Sequence, residues 1–457
     1  TTLKNRIDKK EKEMKILLEN HLRAIASPAN LLINDQIKKF REHCRKHGCS
    51  RPYHHLAFGQ SPFPPPSPVV AALSANAAQH DYLPTAGMLQ LRDAIAQYYH
   101  RHFNLDCQAN QVVVSPGSKE MIATILAVLQ GTVLIPTPSW VSYLPQAKIL
   151  KKEVIPLRTR QEDGFKLTPE LLARGLRSIA NKQKILIFNH PNNPTGASYS
   201  KRELQDLADL CRQNHIVVIA DEIYALTSFA PDKFTSMGLV FPEGTIVTGG
   251  LSKDRSAGGY RLGVGIFPNE PKGLIEDILK IAGSTYSCVA APIQYAALAA
   301  YSADDEVEAH VQDCCKVNAL VGRKMASLIA AAAGMTAPTP HGAFYLYVDF
   351  NEQRDQFLKL GFKTCVDFAK HLLMVEHTAV LPGNALLLPE DDFSVRCSYV
   401  DYDGEKVLAE YQKNSPQTTE EEEAFVHKHC SLIIAGVANM ARYLEQIRQG
   451  KRPVHPD

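Results

Sequence analysis

The sequence predicts an α/β fold, a large domain with a mostly parallel sheet flanked by helices, followed by a smaller α+β domain. Three observations lead there. From about residue 80, short apolar runs bounded by turns recur; they alternate with amphipathic stretches at a helical period; and after about residue 305 the texture changes to one long helix and a few scattered strands. With 457 residues the chain is long enough for both domains. Its hydrophobic content of 45%, charged content of 21% and formal net charge of +2 are those of an ordinary soluble globular protein. That charge gives no electrostatic footing for nucleic acid or for an anionic membrane. No run approaches the roughly 18 consecutive apolar residues that a membrane span requires. Thr1 to Ile25 is charged and has no continuous apolar segment of the secretory kind. The ten cysteines form no C-x-x-C pair, which points to reduced, mostly buried thiols and a cytoplasmic protein. The seventeen histidines form no H-E-x-x-H pattern, so no metal site is expected, and His54-His55 and His100/His102 read as surface or capping residues.

Residues 1–50 read as an N-terminal helical arm. Ile7, Met14, Leu17, Leu18, Leu22 and Ile25 fall near one face of a first helix, and a second runs from Leu31 to about Cys44, ending near Gly48. Residues 51–79 read as an extended segment joining the small domain, because five prolines between Gly59 and Pro68 exclude regular structure there. In the large domain, residues 80–305, the expected strands are Gln111–Val114, Thr132–Ile135, Lys184–Phe188, Ile216–Ala220, Thr245–Thr248 and Gly263–Phe267, with an amphipathic helix at Lys201–Gln213. The small domain, residues 306–457, holds a helix over Asp305–Ala333, strands near Phe344–Phe350, Val380 and Ser394–Tyr399, and an acidic helix start or loop at Gln417–Glu423.

Ligands of such sheets gather outside the carboxyl ends of the strands, and three consecutive strands end in polar chemistry. Asn189-His-Pro-Asn-Asn193-Pro-Thr-Gly follows the first, Asp221-Glu-Ile-Tyr224 the second, and Gly250-Leu-Ser252-Lys253-Asp-Arg-Ser-Ala-Gly-Gly-Tyr-Arg261-Leu-Gly the third. Lys253 behind small residues and Arg261 eight positions on are the anchors that pyridoxal 5'-phosphate needs, an amine for a Schiff base and a planar cation for its phosphate. A carboxylate such as Asp221 keeps a pyridinium nitrogen protonated, and an amide and a phenol such as Asn193 and Tyr224 suit the ring oxygen. Each piece has a plainer reading: a surface loop, a helix N-cap at Asp221, a tight turn at Asn193. Upstream, Gly117, Ser118 and Lys119 open a helix whose free N–H groups suit a phosphate. Trp140, the only tryptophan, is placed either to stack on the cofactor ring or to fill a core.

Taken in order, these motifs resemble the class I/II pyridoxal-phosphate aminotransferases of fold type I, nearest to the aspartate/prephenate branch. The resemblance runs from about Leu56 to the last helix and includes Pro138-Ser-Trp-Val-Ser-Tyr143, Tyr82-x-x-x-x-Gly87 with Leu91-Arg92, Gly342-Ala-Phe-Tyr345 and Val395-Arg396-Cys-Ser-Tyr399. It implies transamination between an L-amino acid and a 2-oxo acid by a ping-pong mechanism, with an aspartate- or glutamate-type donor and 2-oxoglutarate or a similar acceptor. It also implies that Lys253 is the catalytic lysine and that Gly117, Ser118, Lys119, Trp140, Asn193, Asp221, Tyr224, Ser252 and Arg261 hold the cofactor. Arg396 and Gly59 would meet the substrate carboxylate, with Trp140 and Asn193 beside it, and Tyr82 would reach the cofactor phosphate of a neighbouring subunit in a homodimer. In the branch resembled, the lysine at the place of Lys119 meets the distal carboxylate of acidic substrates; the other reading is a first-turn residue that engages only its amide. A β-eliminating lyase on the same cofactor and a non-catalytic sensor domain are the alternatives, the latter opposed by an arm too short and too poor in basic clusters for a DNA-binding domain. Three departures from the branch stand out: about fifty additional N-terminal residues, Gly59-Gln-Ser-Pro-Phe63 in place of Gly-Glu-Pro-Asp-Phe, and an insertion around Asp401–His427. The arm reads either as a dimer contact or as a cover over the site.

Overall fold

The computed structural model describes residues 19–23, 25, 29–48, 51–177, 179, 183–230 and 234–454. In chain order the strands are β1 (His54–His55), β2 (Val112–Ser115), β3 (Thr132–Thr137), β4 (Val154–Arg158), β5 (Lys184–Asn189), β6 (Ile216–Asp221), β7 (Thr245–Gly250), β8 (Gly263–Ile266), β9 (Tyr345–Asp349), β10 (Thr378–Ala379), β11 (Leu381–Pro382) and β12 (Ser394–Ser398). Seven of them form one sheet in the order β2-β8-β7-β6-β5-β3-β4. β8 runs antiparallel to both its neighbours, and the remaining pairs are parallel. Alternate residues of each strand feed opposite faces. Val114, Leu134, Leu186, Val218 and Val247 pack into one buried cluster, while Val113, Val133, Ile185, Ile219 and Ile246 pack into another. Strands buried on both faces read as continuous apolar runs, which is why the sequence displays them.

The strand β4 is not among the expected ones. Its centre holds Pro156, which argues against a strand in the sequence, but β4 pairs only with β3 at the sheet edge, where a missing N–H is tolerated. The helix Lys201–Gln213 starts and stops where expected. Ser200 accepts from the Glu203 amide and Glu203 accepts from the Ser200 amide, a reciprocal cap that secures its first turn.

The smaller sheet, β11-β12-β9, is antiparallel and packs on the long helix Asp305–Ala331 and the helices Cys365–Glu376 and Ser431–Arg448 around a third cluster. The acidic segment is a helix start: Thr418 caps the helix Thr419–His429. The stretch 59–68 is not irregular throughout, because the helix Ser67–Ala75 begins inside it with Pro68 in its first turn, where no donor is lost. Its Val69 lies in the large-sheet core.

Of the N-terminal arm, Ile7, Met14, Leu17 and Leu18 lie outside the described residues. Leu22 sits in the short helix Asn20–Arg23 and is exposed. The second helix spans Ala29–His47, longer at both ends than expected, and closes at Gly48, whose φ of 75° is left-handed. Its Ile33, Ile37 and Phe40 are buried against Ala57, Tyr347, Leu373 and Leu381 in a fourth cluster, so this helix ties the arm to the small sheet. His54 is not a surface residue: it is buried, and its Nδ1 lies 2.9 Å from the Leu432 carbonyl. β1 pairs in parallel with β10, which draws the histidine inward.

Candidate active site

The parallel register places Asn189 opposite Asp221, and Asp221 opposite Thr248, at the carboxyl ends of β5, β6 and β7. A cavity of about 660 Å³ opens there. Its walls include Gly59, Ser118, Lys119, Trp140, Asn193, Asp221, Tyr224, Ser252, Lys253, Arg261 and Arg396, so eleven of the thirteen expected residues meet in one place. Gly117 stands directly behind Arg261. A Cβ on it would come within 2.3 Å of the guanidinium, and its φ of 91° favours glycine. Tyr82 lies apart from this cavity and is 91% exposed.

One end is built from the helix Ser118–Val128 and Arg261. A Cβ on Gly263 would strike the Gly117 carbonyl carbon and the Ser118 nitrogen at 2.2 Å, so β8 presses against the helix start and fixes its amides. Arg261, with φ 55°, donates to the Gly258 carbonyl at 2.8 Å and the Pro116 carbonyl at 3.3 Å, which aims its guanidinium over those amides. A helix N-terminus beside a guanidinium is an anion cradle.

Asp221 is buried at the floor. It accepts from the Tyr143 hydroxyl at 2.6 Å and the Ile223 amide at 3.4 Å. Burial pushes its carboxyl up to about 6, against the opposing pull of those donors and of Lys253. The next residue, Glu222, is pushed up to about 8, chiefly by burial, with the amide of Met237 and the hydroxyl of Ser236 opposing. Tyr224 is buried, its phenol held well above the usual range by burial, and its hydroxyl lies 2.9 Å from that of Tyr345 and 3.4 Å from Asn193 Nδ2. A buried carboxylate, a cationic cradle, a phenol with an amide, and a primary amine are the donor set that pyridoxal phosphate requires for its ring nitrogen, phosphate, ring oxygen and aldehyde. The residues present fit it.

Lys253 Nζ donates to the Gly59 carbonyl at 2.8 Å and lies 5.8 Å and 5.5 Å from the Tyr224 and Phe344 ring centres. Arg396 is buried; it donates to Asn193 Oδ1 at 3.1 Å and to the Ala57 carbonyl at 2.7 Å, and lies 4.5 Å from the Tyr345 ring centre. Gly59 is needed where it is: a Cβ there would come within 1.8 Å of the Tyr345 hydroxyl. Lys119 Nζ lies 5.1 Å from the Trp140 ring centre, and burial, then Arg261 and Lys253, lower its pKa.

The sequence reading passed over Tyr143, Tyr345 and Ile33. Tyr143 and Tyr345 close two of the quoted motifs, Pro138-to-Tyr143 and Gly342-to-Tyr345, and their place at a motif's end was the available signal. Ile33 lines the cavity from the N-terminal helix, and no local pattern marks it.

The model of the family "aminotransferase class I and II" matches residues 53–410, and the chain belongs to that family. It is a pyridoxal-phosphate-dependent transaminase. It is 29% identical over 354 residues to the aspartate aminotransferase of Bacillus subtilis (strain 168), a match covering 75% of this chain and 86% of that one. It is 32% identical over 317 residues to a probable aspartate/prephenate aminotransferase of Rickettsia felis, covering 66% and 74%. Among solved structures, the aspartate aminotransferase from Thermus thermophilus with maleate superposes with a TM-score of 0.75 at 25% identity, over 94% of this chain and 100% of that one. Nothing in these relatives favours the lyase or sensor alternatives. Among the described residues no group of His, Cys, Asp or Glu is arranged to hold a metal ion, and no helix is long and apolar enough to cross a membrane.

Proposed function

We propose that the protein exchanges amino groups between an acidic L-amino acid, aspartate or glutamate, and a dicarboxylic 2-oxo acid such as 2-oxoglutarate, by ping-pong turnover in a single site. The observation that carries this is the placement of Lys119. Burial and two neighbouring cations disfavour its ammonium, and a distal substrate carboxylate is the group that would stabilise it. Arg396, preset by Asn193 and the Ala57 carbonyl, binds the α-carboxylate through its planar fork. Two cations lining one cavity thus select a dicarboxylate.

When bound, pyridoxal phosphate supplies an aldehyde conjugated to an electron-accepting ring. Lys253 provides the amine that holds that aldehyde. The same amine would take up the proton of the substrate Cα, as the base of the site. Asp221, oriented by Tyr143, keeps the ring nitrogen protonated, and Tyr224 with Asn193 donates to the ring oxygen. Ser118, the Gly117 turn and Arg261 hold the phosphate, with Ser252 beside them. Trp140 covers the ring face, and the Gly59 backbone meets the α-carboxylate.

The same proposal makes the protein a cytoplasmic homodimer. Tyr82, exposed on its own subunit, would complete the phosphate site of the other, so neither site is whole alone. The scattered cysteines, with no C-x-x-C pair among them, accord with a reducing compartment.

A spectrophotometric half-reaction screen of the holoenzyme against twenty amino acids tests the reading. Aspartate and glutamate should convert the cofactor absorbance fastest. Conversion by neither, or release of pyruvate and ammonia without any 2-oxo acid, overturns it.

A further inference from the structure

The loop that carries Lys253 is anchored from the core side by a buried ion pair. Asp254 and Arg255 follow Lys253 directly, yet they are only 6% and 2% exposed. Arg255 donates to Asp254 Oδ2 at 2.6 Å through one guanidinium nitrogen and to the Ala300 carbonyl at 3.4 Å through another. Its guanidinium carbon lies 4.4 Å from the ring centre of Tyr98, in the helix Leu89–Phe103. It lies 4.8 Å from that of Tyr301, the last residue of the helix Ala291–Tyr301. Asp254 also accepts from the Arg255 amide at 2.8 Å, which fixes the backbone between the two.

Neighbouring side chains of this loop go to different places. Lys253 lines the large cavity, whereas Asp254 and Arg255 line a small one, of about 10 Å³, with Glu222 and Gly250. The pair therefore sits beside the residue that follows Asp221 and the last residue of β7. The loop is also tied twice to the extended segment: Lys253 Nζ donates to the Gly59 carbonyl, and Ser256 Oγ lies 2.6 Å from Ser61 Oγ. Between those ties Ser256 has a φ of 56°, a left-handed backbone that a serine keeps only when its surroundings impose it. Burying two charges costs about what their attraction returns, so such a pair adds little to net stability. A planar fork gripped by a carboxylate, a carbonyl and two rings does, however, fix a position.

We propose that Arg255, paired with Asp254 and held between Tyr98 and Tyr301, is a positioning residue that sets where the Lys253 amine stands in the cavity. The role rests on Lys253 being the lysine that holds the cofactor. A displacement of about 1 Å in a reacting group costs on the order of a hundredfold in rate. The carboxylate contacts at Arg396 and Lys119 come from β12 and the helix Ser118–Val128, so they stay where they are when the loop shifts.

The test follows the single-turnover half-reaction of the cofactor-loaded protein with its fastest amino donor. Asp254→Asn/Arg255→Met removes both charges together, so neither is left buried alone, and it should melt within about 5 °C of the wild type. Its maximal rate should fall at least about a hundredfold, while the half-saturating donor concentration changes less than about threefold. The visible circular dichroism of its bound cofactor should change in amplitude, which a merely structural pair would leave alone. Arg255→Lys keeps the charge but not the fork, and should lose about tenfold in maximal rate at the same half-saturating concentration. A double variant with the wild-type rate and dichroism overturns the proposal whatever its melting temperature, as does a loss confined to the half-saturating concentration. If the double variant does not fold, Arg255→Lys decides alone: the wild-type rate and dichroism overturn the role. Lys253→Ala is the separate control, since visible absorbance that survives it removes the assignment of Lys253 itself.

Discussion

Neighbouring carboxyls at one strand end are both buried, and their partners separate them. Asp221 faces the cavity, whereas Glu222 points into the core below it, where Ser236 and the Met237 amide donate to one oxygen. Because Glu222 is pushed up to about 8, the native state binds a proton that the unfolded chain releases near its ordinary carboxylate value. Native stability therefore falls as pH rises from about 4.5 to about 8. Glu222→Gln removes that titration, so its stability relative to the wild type should improve by about 1–3 kcal/mol between pH 5.5 and 8 in thermal or urea unfolding. At the cavity, Lys253→Ala should abolish turnover together with the visible absorbance of the cofactor-loaded enzyme; an unchanged rate would remove its assignment. Arg396→Ala should raise KM for every donor by on the order of a hundredfold, since it deletes a charged, bidentate contact. Lys119→Ala should penalise only acidic donors, and equal activity toward acidic and neutral ones would dismiss the distal-carboxylate role. Residue chemistry of this kind is readable along the chain, because a lysine among glycines or an aspartate at a strand end carries its meaning in its neighbours. Tyr143 and Tyr345 were not readable in that way, since each acts on a partner far along the chain: Asp221 is 78 residues from Tyr143, and Tyr224 is 121 from Tyr345.

Elements bring these groups into range. Three parallel strands in register deliver Asn193, Asp221 and Lys253 to one edge, and the antiparallel β8 presses the start of the helix Ser118–Val128 into place. The extended segment before the helix Ser67–Ala75 is just as demanding. Gly59→Ala would drive Tyr345 aside and break both the Lys253–Gly59 and Tyr224–Tyr345 contacts, so kcat/KM should fall on the order of a hundredfold with little change in fold by circular dichroism. The N-terminal helix is held by a small cluster in which Phe40 lies edge-on to His377 at 4.8 Å. Phe40→Ala should loosen that helix by about 3 kcal/mol, seen as roughly hundredfold faster hydrogen exchange or proteolysis within residues 29–47. Helices were legible because their 3.6-residue period exposes the buried face, and central strands because burial on both faces makes them continuous apolar runs. The edge strand β4 was not, because a lone proline there obeys the rule for edges rather than for interiors.

At the level of the assembled protein, the proposed dimer makes a clear prediction. Sedimentation should find the holoenzyme at twice the chain mass, and Tyr82→Ala should weaken cofactor retention without altering the half-reaction donor preference. A monomer with full activity would dismiss the shared site. The order of chemistry along the chain, a helix-opening turn, then Asn193, Asp221 and Lys253 from successive strands, then Arg396, was sufficient to name the cofactor and the family, because those contacts are made by strand ends whose spacing the sequence displays. What surrounds the substrate was settled by folding alone. Ile33 from the arm, Leu381 beside Arg396 and Trp140 under Lys119 come from segments more than a hundred residues apart. Periodicity reports which face of an element is buried, but it does not report which other element covers that face, and the shape of a cavity depends on the second of these.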